Sequence, residues 1–295
     1  MPRPSTVTRR ALIAGGGVVA VAGAFAAAVD LRLLPGRSTM YRALGLDGEP
    51  GRIPDVRPVP TTSGSFVSRA RGGRTVGWTI AVPESTDPLP VAVALHGYGG
   101  SHRTFFGSAL GYDRFLAQHI ASGGAPFAVA AVDGGNRYWH RRADGDDPGA
   151  MVLDEFVPML EQRGFDTGRL AFTGNSMGGY GALRFGGLLG AGAVRAVAAL
   201  SPALWTSAGD TARRAFDDAA DFAANTVLGR QRSLDGVAVR IDVGTGDGFE
   251  PAVRTYVDGF RTKPAGGFEP GAHDAGFWRR MAPQQIGFLA RHLHA

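Results

Sequence analysis

Leu170-Ala171-Phe172-Thr173-Gly174-Asn175-Ser176-Met177-Gly178-Gly179-Tyr180-Gly181-Ala182-Leu183 is the stretch from which the rest of the chain can be read. The apolar run 170–172 reads as a buried strand, and the stretch from Gly178 to Leu189 reads as a helix. Between them stands Gly-x-Ser-x-Gly, a serine on a sharp strand-to-helix turn whose flanking glycines let the backbone pass close to its neighbours. With 45 glycines in 295 residues the bare pattern would arise by chance about 0.3 times, so spacing alone decides little. The strand before it and the helix after it are what make Ser176 a candidate nucleophile.

The same order of strand, turn and helix repeats on both sides. Phe66–Arg69 and Arg74–Val82 read as early antiparallel strands. Val91–Leu95 is an unbroken apolar run ended by His96-Gly97, the pattern of a parallel strand buried on both faces. Phe127–Val132, Val194–Leu200 and Val237–Val243 read as further strands, each closed by a turn. Helices are expected over Gly111–Ala121, Gly149–Arg163, Ala252–Arg261 and Phe277–Leu293. The alternation predicts an α/β fold, a mostly parallel central sheet flanked by helices on both faces, with a site at the carboxyl ends of the strands. The catalytic body is expected over 66–295, and 203–235, which fits no strand slot, as a cap over the site.

A serine hydroxyl needs an imidazole to take its proton and a carboxylate to hold that imidazole. On this scaffold the partners follow in the order serine, acid, histidine. Of the histidines after Ser176, His292 and His294 end a terminal helix, whereas His273 lies in the loop Gly271-Ala272-His273-Asp274. Asp247, in Gly244-Thr245-Gly246-Asp247-Gly248 after the strand 237–243, is the expected acid, with Glu250 as the alternative. An oxyanion requires two backbone N–H donors. Met177, after the nucleophile, should supply one, and Tyr98 in His96-Gly97-Tyr98-Gly99-Gly100 the other.

These motifs resemble the esterase D branch of the α/β-hydrolases, which includes S-formylglutathione hydrolases, feruloyl and enterochelin esterases, and mycolyltransferases of the antigen 85 type. The resemblance rests on 96–100, on Asp133-Gly134-Gly135 with Tyr138-Trp139, on 174–179, on 244–247, and on 271–274 with Trp278. It implies an α/β-hydrolase fold over roughly 66–295, with Ser176 as nucleophile, Asp247 as acid and His273 as base. It also implies ester hydrolysis through an acyl-enzyme, with acyl transfer to a sugar or glycerol hydroxyl as the alternative. The substrate is then a small-molecule or lipid ester. His96, Gly97, Trp139 and Trp205 are expected to line its pocket, and Phe249 is a further aromatic candidate beyond a strand end.

Composition narrows the classes. The absence of cysteine excludes disulfides, thiolate nucleophiles, Cys-ligated metals and a lipobox. His96, His102 and His140 with Asp144, Asp146 and Asp147 match no metal-ligand spacing, so neither a metal nor another cofactor is expected. The net charge of +5 lies mostly in a leader: residues 1–28 hold three arginines and no acid, which leaves 28 basic against 26 acidic side chains. No basic stripe with interleaved aromatics marks a nucleic-acid surface. Residues 1–30, with Thr8-Arg9-Arg10 before the uncharged run 11–29, read as a twin-arginine export signal or an N-terminal anchor, which implies export or association with the cell envelope. Gly15-Gly16-Gly17-Val18-Val19-Ala20 mimics a dinucleotide fingerprint but follows no strand. Residues 31–65, rich in Pro, Gly and Arg, read as a linker or an arm packed on the body.

Overall fold

The computed structural model describes residues 37–295, so the leader and its glycine-rich mimic lie outside the described residues. The apolar runs form an eight-stranded sheet in the order β1-β2-β4-β3-β5-β6-β7-β8. Its strands are β1 (Thr61–Ser68), β2 (Arg74–Ala81), β3 (Pro90–Leu95), β4 (Ala128–Val132), β5 (Asp166–Asn175), β6 (Val194–Leu200), β7 (Ala238–Gly244) and β8 (Ala265–Glu269). Only the β1–β2 and β2–β4 pairs are antiparallel; the remaining pairs are parallel. Every side chain of β3 and β4 is buried, as an unbroken apolar run demands of a strand covered on both faces.

The period of two divides those side chains between two cores. Val91, Val93, Leu95, Leu170, Phe172 and Val197 enter one. Ala92, Ala94, Ala131, Ala171, Ala196 and Ala198 face the other. That second face is almost paved with alanine, which leaves room for the large side chains of α2 (Tyr112–Ala121) and α7 (Ala275–Leu293), among them Phe115, Phe277 and Leu289. The first face is covered by α3 (148–162, with a π turn over Met151–Phe156) and α4 (Met177–Leu189). It is also covered by α6 (Glu250–Asp258).

Three elements depart from expectation. β1 begins at Thr61, inside the stretch read as an arm, because its outer face is exposed and carries Thr, Ser and Gly in place of apolar residues. β8, Ala-Gly-Gly-Phe-Glu, was not anticipated, since its glycines mimic a turn. The described part of the arm contains a short helix, α1 (Arg37–Ala43).

The 203–235 segment holds the short helix α5 (Ala219–Asn225) and two 3-10 turns. Buried Arg142 donates to Asp217 Oδ1 and to the Ala215 carbonyl, at 2.6 and 2.7 Å. His140, wholly buried, stacks on Phe216 and reaches Asp221 Oδ2 at 3.1 Å. The segment is thereby fastened to the loop after β4.

Candidate active site

Ser176 stands between β5 and α4 with φ 56° and ψ −118°, a conformation that costs a non-glycine residue on the order of 1–3 kcal/mol. The glycines around it are there for close approach. A Cβ on Gly178 would lie 1.7 Å from the Leu95 carbonyl oxygen, and one on Gly174 would lie 2.3 Å from the Gly178 backbone. The strained turn is held because Ser176 N–H donates to Leu200 O at 2.9 Å and its own carbonyl accepts from Ala203 N–H at 3.0 Å.

The geometry joins the three residues singled out in the sequence. His273 Nε2 lies 2.9 Å from Ser176 Oγ, and His273 Nδ1 lies 2.8 Å from Asp247 Oδ2. A carboxylate can only accept, so Nδ1 carries a proton, and in the neutral imidazole Nε2 is then the acceptor for the serine hydroxyl. Asp247 is 1% exposed, and its other oxygen accepts from Phe249 N–H at 2.9 Å, which fixes the carboxylate plane. Glu250, the alternative acid, sits on α6 and bonds Arg254. Phe249 and Trp278 each meet the His273 ring edge-on at 5.2 Å and limit how it can swing.

Above the serine lies the loop after β3. A Cβ on Gly97 would come within 3.3 Å of Ser176 Cβ, so this backbone passes directly beside Ser176. Gly97 N–H donates to Asn175 Oδ1 at 3.2 Å and Gly99 N–H to Asn136 Oδ1 at 2.6 Å. The amide between them, that of Tyr98, makes no hydrogen bond among the described residues. Met177 opens α4, so its N–H is one of the helix-start donors without an intrahelical acceptor. Asn175 and Asn136 were not singled out in the sequence. Asn175 occupies the variable place of Gly-x-Ser-x-Gly, which the motif leaves unspecified.

Two residues expected to line a pocket do not. His96 is 1% exposed; its Nδ1–H donates to Gly97 O at 2.8 Å and its Nε2 accepts from Gly134 N–H at 3.0 Å. Burial holds its pKa below the ordinary imidazole range. Trp139 is wholly buried, with Gly134 and Gly181 pressed on its ring and its indole N–H directed at the His96 carbonyl. Both shape the loops from behind. Gly97 contributes backbone alone.

Trp205, half-buried, belongs to a different arrangement. A run of ring contacts leads from Tyr98 to Tyr138 (6.5 Å), Trp205 (5.6 Å), Phe249 (5.4 Å) and His273 (5.2 Å). This wall joins the loop beside Ser176 to His273. Tyr98 is 53% exposed at its open end. Tyr138 is nearly buried and its hydroxyl is pushed up to about 12 by burial and by Tyr98. The histidines and acids of the rejected metal reading have protein partners. His102 meets Thr79 Oγ1 at 2.7 Å, and Asp146 takes two bonds from Arg71. Among the described residues no group of ligating side chains could hold a metal ion, and no helix is long and apolar enough to cross a membrane.

No protein-family model and no curated protein matches the chain. Solved structures do. A ferulic acid esterase superposes with TM-score 0.68 at 20% identity, over 79% of this chain and 98% of that one. An S-formylglutathione hydrolase from Agrobacterium tumefaciens gives 0.64 at 18%, over 79% and 95%. A substrate-bound, fluorophosphonate-binding serine hydrolase from Staphylococcus aureus gives 0.61 at 18%, over 79% and 99%. The likeness carries the fold: this chain has the α/β-hydrolase fold, in common with those esterases and serine hydrolases.

Proposed function

We propose that this protein is a serine carboxylesterase. The observation that carries the reading is the hydrogen-bonded series Ser176–His273–Asp247, at 2.9 and 2.8 Å, on a strained strand-to-helix turn. In this reading His273 Nε2 takes the Ser176 proton as Oγ attacks the ester carbonyl, and Asp247 stabilises the imidazolium that forms. The oxyanion is received by the amides of Tyr98 and Met177. The leaving alcohol departs with the proton from His273, and a water activated by the same imidazole releases the acid from the acyl-enzyme.

The aromatic wall from Tyr98 to Phe249 supports an apolar acyl group as the part of the substrate held beside the serine. The ferulic acid esterase and the S-formylglutathione hydrolase that share the fold support ester and thioester carbonyls as the reacting group. The leader reading adds export, with the enzyme acting outside the cytoplasm or at the cell envelope.

The test is hydrolysis of p-nitrophenyl esters from acetyl to palmitoyl, with Ser176→Ala as control. Turnover should fall roughly 10⁶-fold in that variant. Equal rates in both proteins would refute the reading. An added sugar or glycerol that diverts product from free acid to new ester would instead favour acyl transfer.

A further inference from the structure

The stretch 41–51, which precedes the sheet in sequence, packs on the two loops that carry Asp247 and His273. These loops are first tied to each other: Thr245 N–H donates to Glu269 O and Gly246 N–H to Gly271 O, both at 2.8 Å. On their outer side, Asp47 Oδ1 and a ring carbon of Tyr41 lie 3.2 and 3.3 Å from where a Gly246 Cβ would be, one residue before the acid. Gly51 N–H donates to Gly276 O at 2.8 Å, and a Cβ on Gly51 would meet the Arg280 backbone nitrogen at 2.0 Å.

The contacts are unequal in strength. The Arg42–Asp274 ion pair is exposed on both sides, and such pairs contribute about 0–1 kcal/mol. Asp47 Oδ1 is buried without a hydrogen bond, which costs on the order of 1–3 kcal/mol. Something else must therefore hold this stretch down. Arg280, on the first turns of α7, does so with one guanidinium. It donates to the carbonyls of Asp47 (3.2 Å) and Glu49 (2.6 Å) on one side and of Pro270 on the other. Pro270 adjoins Gly271, whose carbonyl holds the acid loop.

We propose that residues 41–51 form a strap that keeps the acid and base loops in register, and that Arg280 is the positioning residue that fastens it. The proposal rests on the assignment of Asp247 and His273 as acid and base. Neither the strap nor Arg280 touches the reacting atoms. A shift of about 1 Å in such a site can cost about a hundredfold in rate, so a fastening at this distance is consequential.

The experiment compares full-length Arg280→Ala, Arg280→Lys and Arg279→Ala. Arg279 is the matched control. It lies on the same helix and also holds carbonyls, those of Ser108 and Ala109, in a loop without a triad residue. Two readouts are taken: kcat and KM for p-nitrophenyl acetate, and the downfield proton resonance of His273 Nδ1–H, assigned by its loss in Asp247→Asn. Arg280→Ala should lower kcat about ten- to a hundredfold with KM changed less than about threefold, and should broaden or shift the resonance. Arg280→Lys should recover part of both, since one ammonium cannot span three carbonyls. Arg279→Ala should leave both in place. If Arg280→Ala does not fold, Gly51→Ala lifts the strap with Arg280 intact, and the same losses are expected.

The proposal is overturned if both readouts stay unchanged in Arg280→Ala, or if Arg279→Ala moves them equally. Should the wild type hydrolyse no ester, the esterase reading fails, and the resonance alone still decides the strap.

Discussion

His96 makes this fold sensitive to acid in a way that can be measured. Its imidazole is enclosed between the loops after β3 and β4, with Nδ1–H donating to Gly97 O and Nε2 accepting from Gly134 N–H. A proton on Nε2 would set N–H against N–H and place a charge beside the Trp139 ring. Burial accordingly holds its pKa below 6.5, with the Gly97 hydrogen bond and the Asp133 carboxylate opposing. At neutral pH both the folded and the unfolded chain carry a mostly neutral imidazole, and the penalty is small. As pH falls through about 6.5 the unfolded histidine binds a proton that the folded one refuses, so stability is lost on the acid side. If only the unfolded chain binds it, the loss between pH 7 and pH 5 is on the order of 2 kcal/mol. Urea unfolding at the two pH values, on wild type and on His96→Gln, measures it. A glutamine Oε1 can still accept from Gly134 N–H but does not titrate. His102, His119, His140 and His292 are shifted downward by burial too, but they are common to both proteins and cancel in the difference. Wild type should lose about 1–2 kcal/mol more than the variant. Equal losses would mean that the folded state admits the proton, and the argument from enclosure would be wrong.

Gly178→Ala should destabilise by about 2 kcal/mol or more despite the roughly 1 kcal/mol gained in helix propensity, because its Cβ would collide with Leu95 O; a urea midpoint at or above wild type would contradict this. Arg71→Met leaves Asp146 buried with Arg137, at 3.2 Å, and the more distant Arg74 as cationic partners, and should cost about 3 kcal/mol. The double variant with Asp146→Leu should recover most of that, as thermal unfolding would reveal. Tyr138→Ala removes the middle of the aromatic wall and should move the acyl-length optimum of p-nitrophenyl ester hydrolysis up by about two methylenes, each worth about 0.8 kcal/mol. An unchanged profile would separate the wall from the acyl site.

Legibility in the sequence followed local chemistry. β3 and β4 could be read because both faces are buried and the runs are apolar throughout, and β6 because Arg195 alone interrupts its apolar run. The turn at Ser176 could be read because its glycines answer a steric demand that recurs wherever such a turn is built. β8 was hidden for the opposite reason. Gly266 has φ +90°, and a Cβ there would lie 2.3 Å from Ile241 O, so the pairing itself requires a residue that signals a turn. His96 and Trp139 read as pocket residues because they end or follow strands on the site's side. Whether such a residue faces the cleft or backs the loop depends on contacts with Gly134 and Gly181, dozens of residues away. The grip of Arg280 on Asp47 and Glu49 spans more than two hundred residues and leaves no local pattern at all.

The distribution of backbone strain ties these parts together. Of the five non-glycine residues with positive φ among those described, four lie where strands end at the site: Tyr138 and Trp139 after β4, Ser176 after β5 and Ser201 after β6. Each is over-determined by hydrogen bonds. His140 Nδ1 meets Tyr138 O, Arg184 donates to Trp139 O, and Ser201 N–H donates to Asp242 O as Ser176 N–H does to Leu200 O. At roughly 1–3 kcal/mol apiece, the four together approach the whole net stability of an ordinary domain. Such strain survives only on a support that does not yield, and the alanine-lined sheet with α2 and α7 packed on that face is one. The serine, the aromatic wall and the loops beside them are therefore set before any substrate arrives. On the proposed reading little reorganisation is left for the transition state, which is the condition under which fixed backbone donors act most strongly on a developing oxyanion.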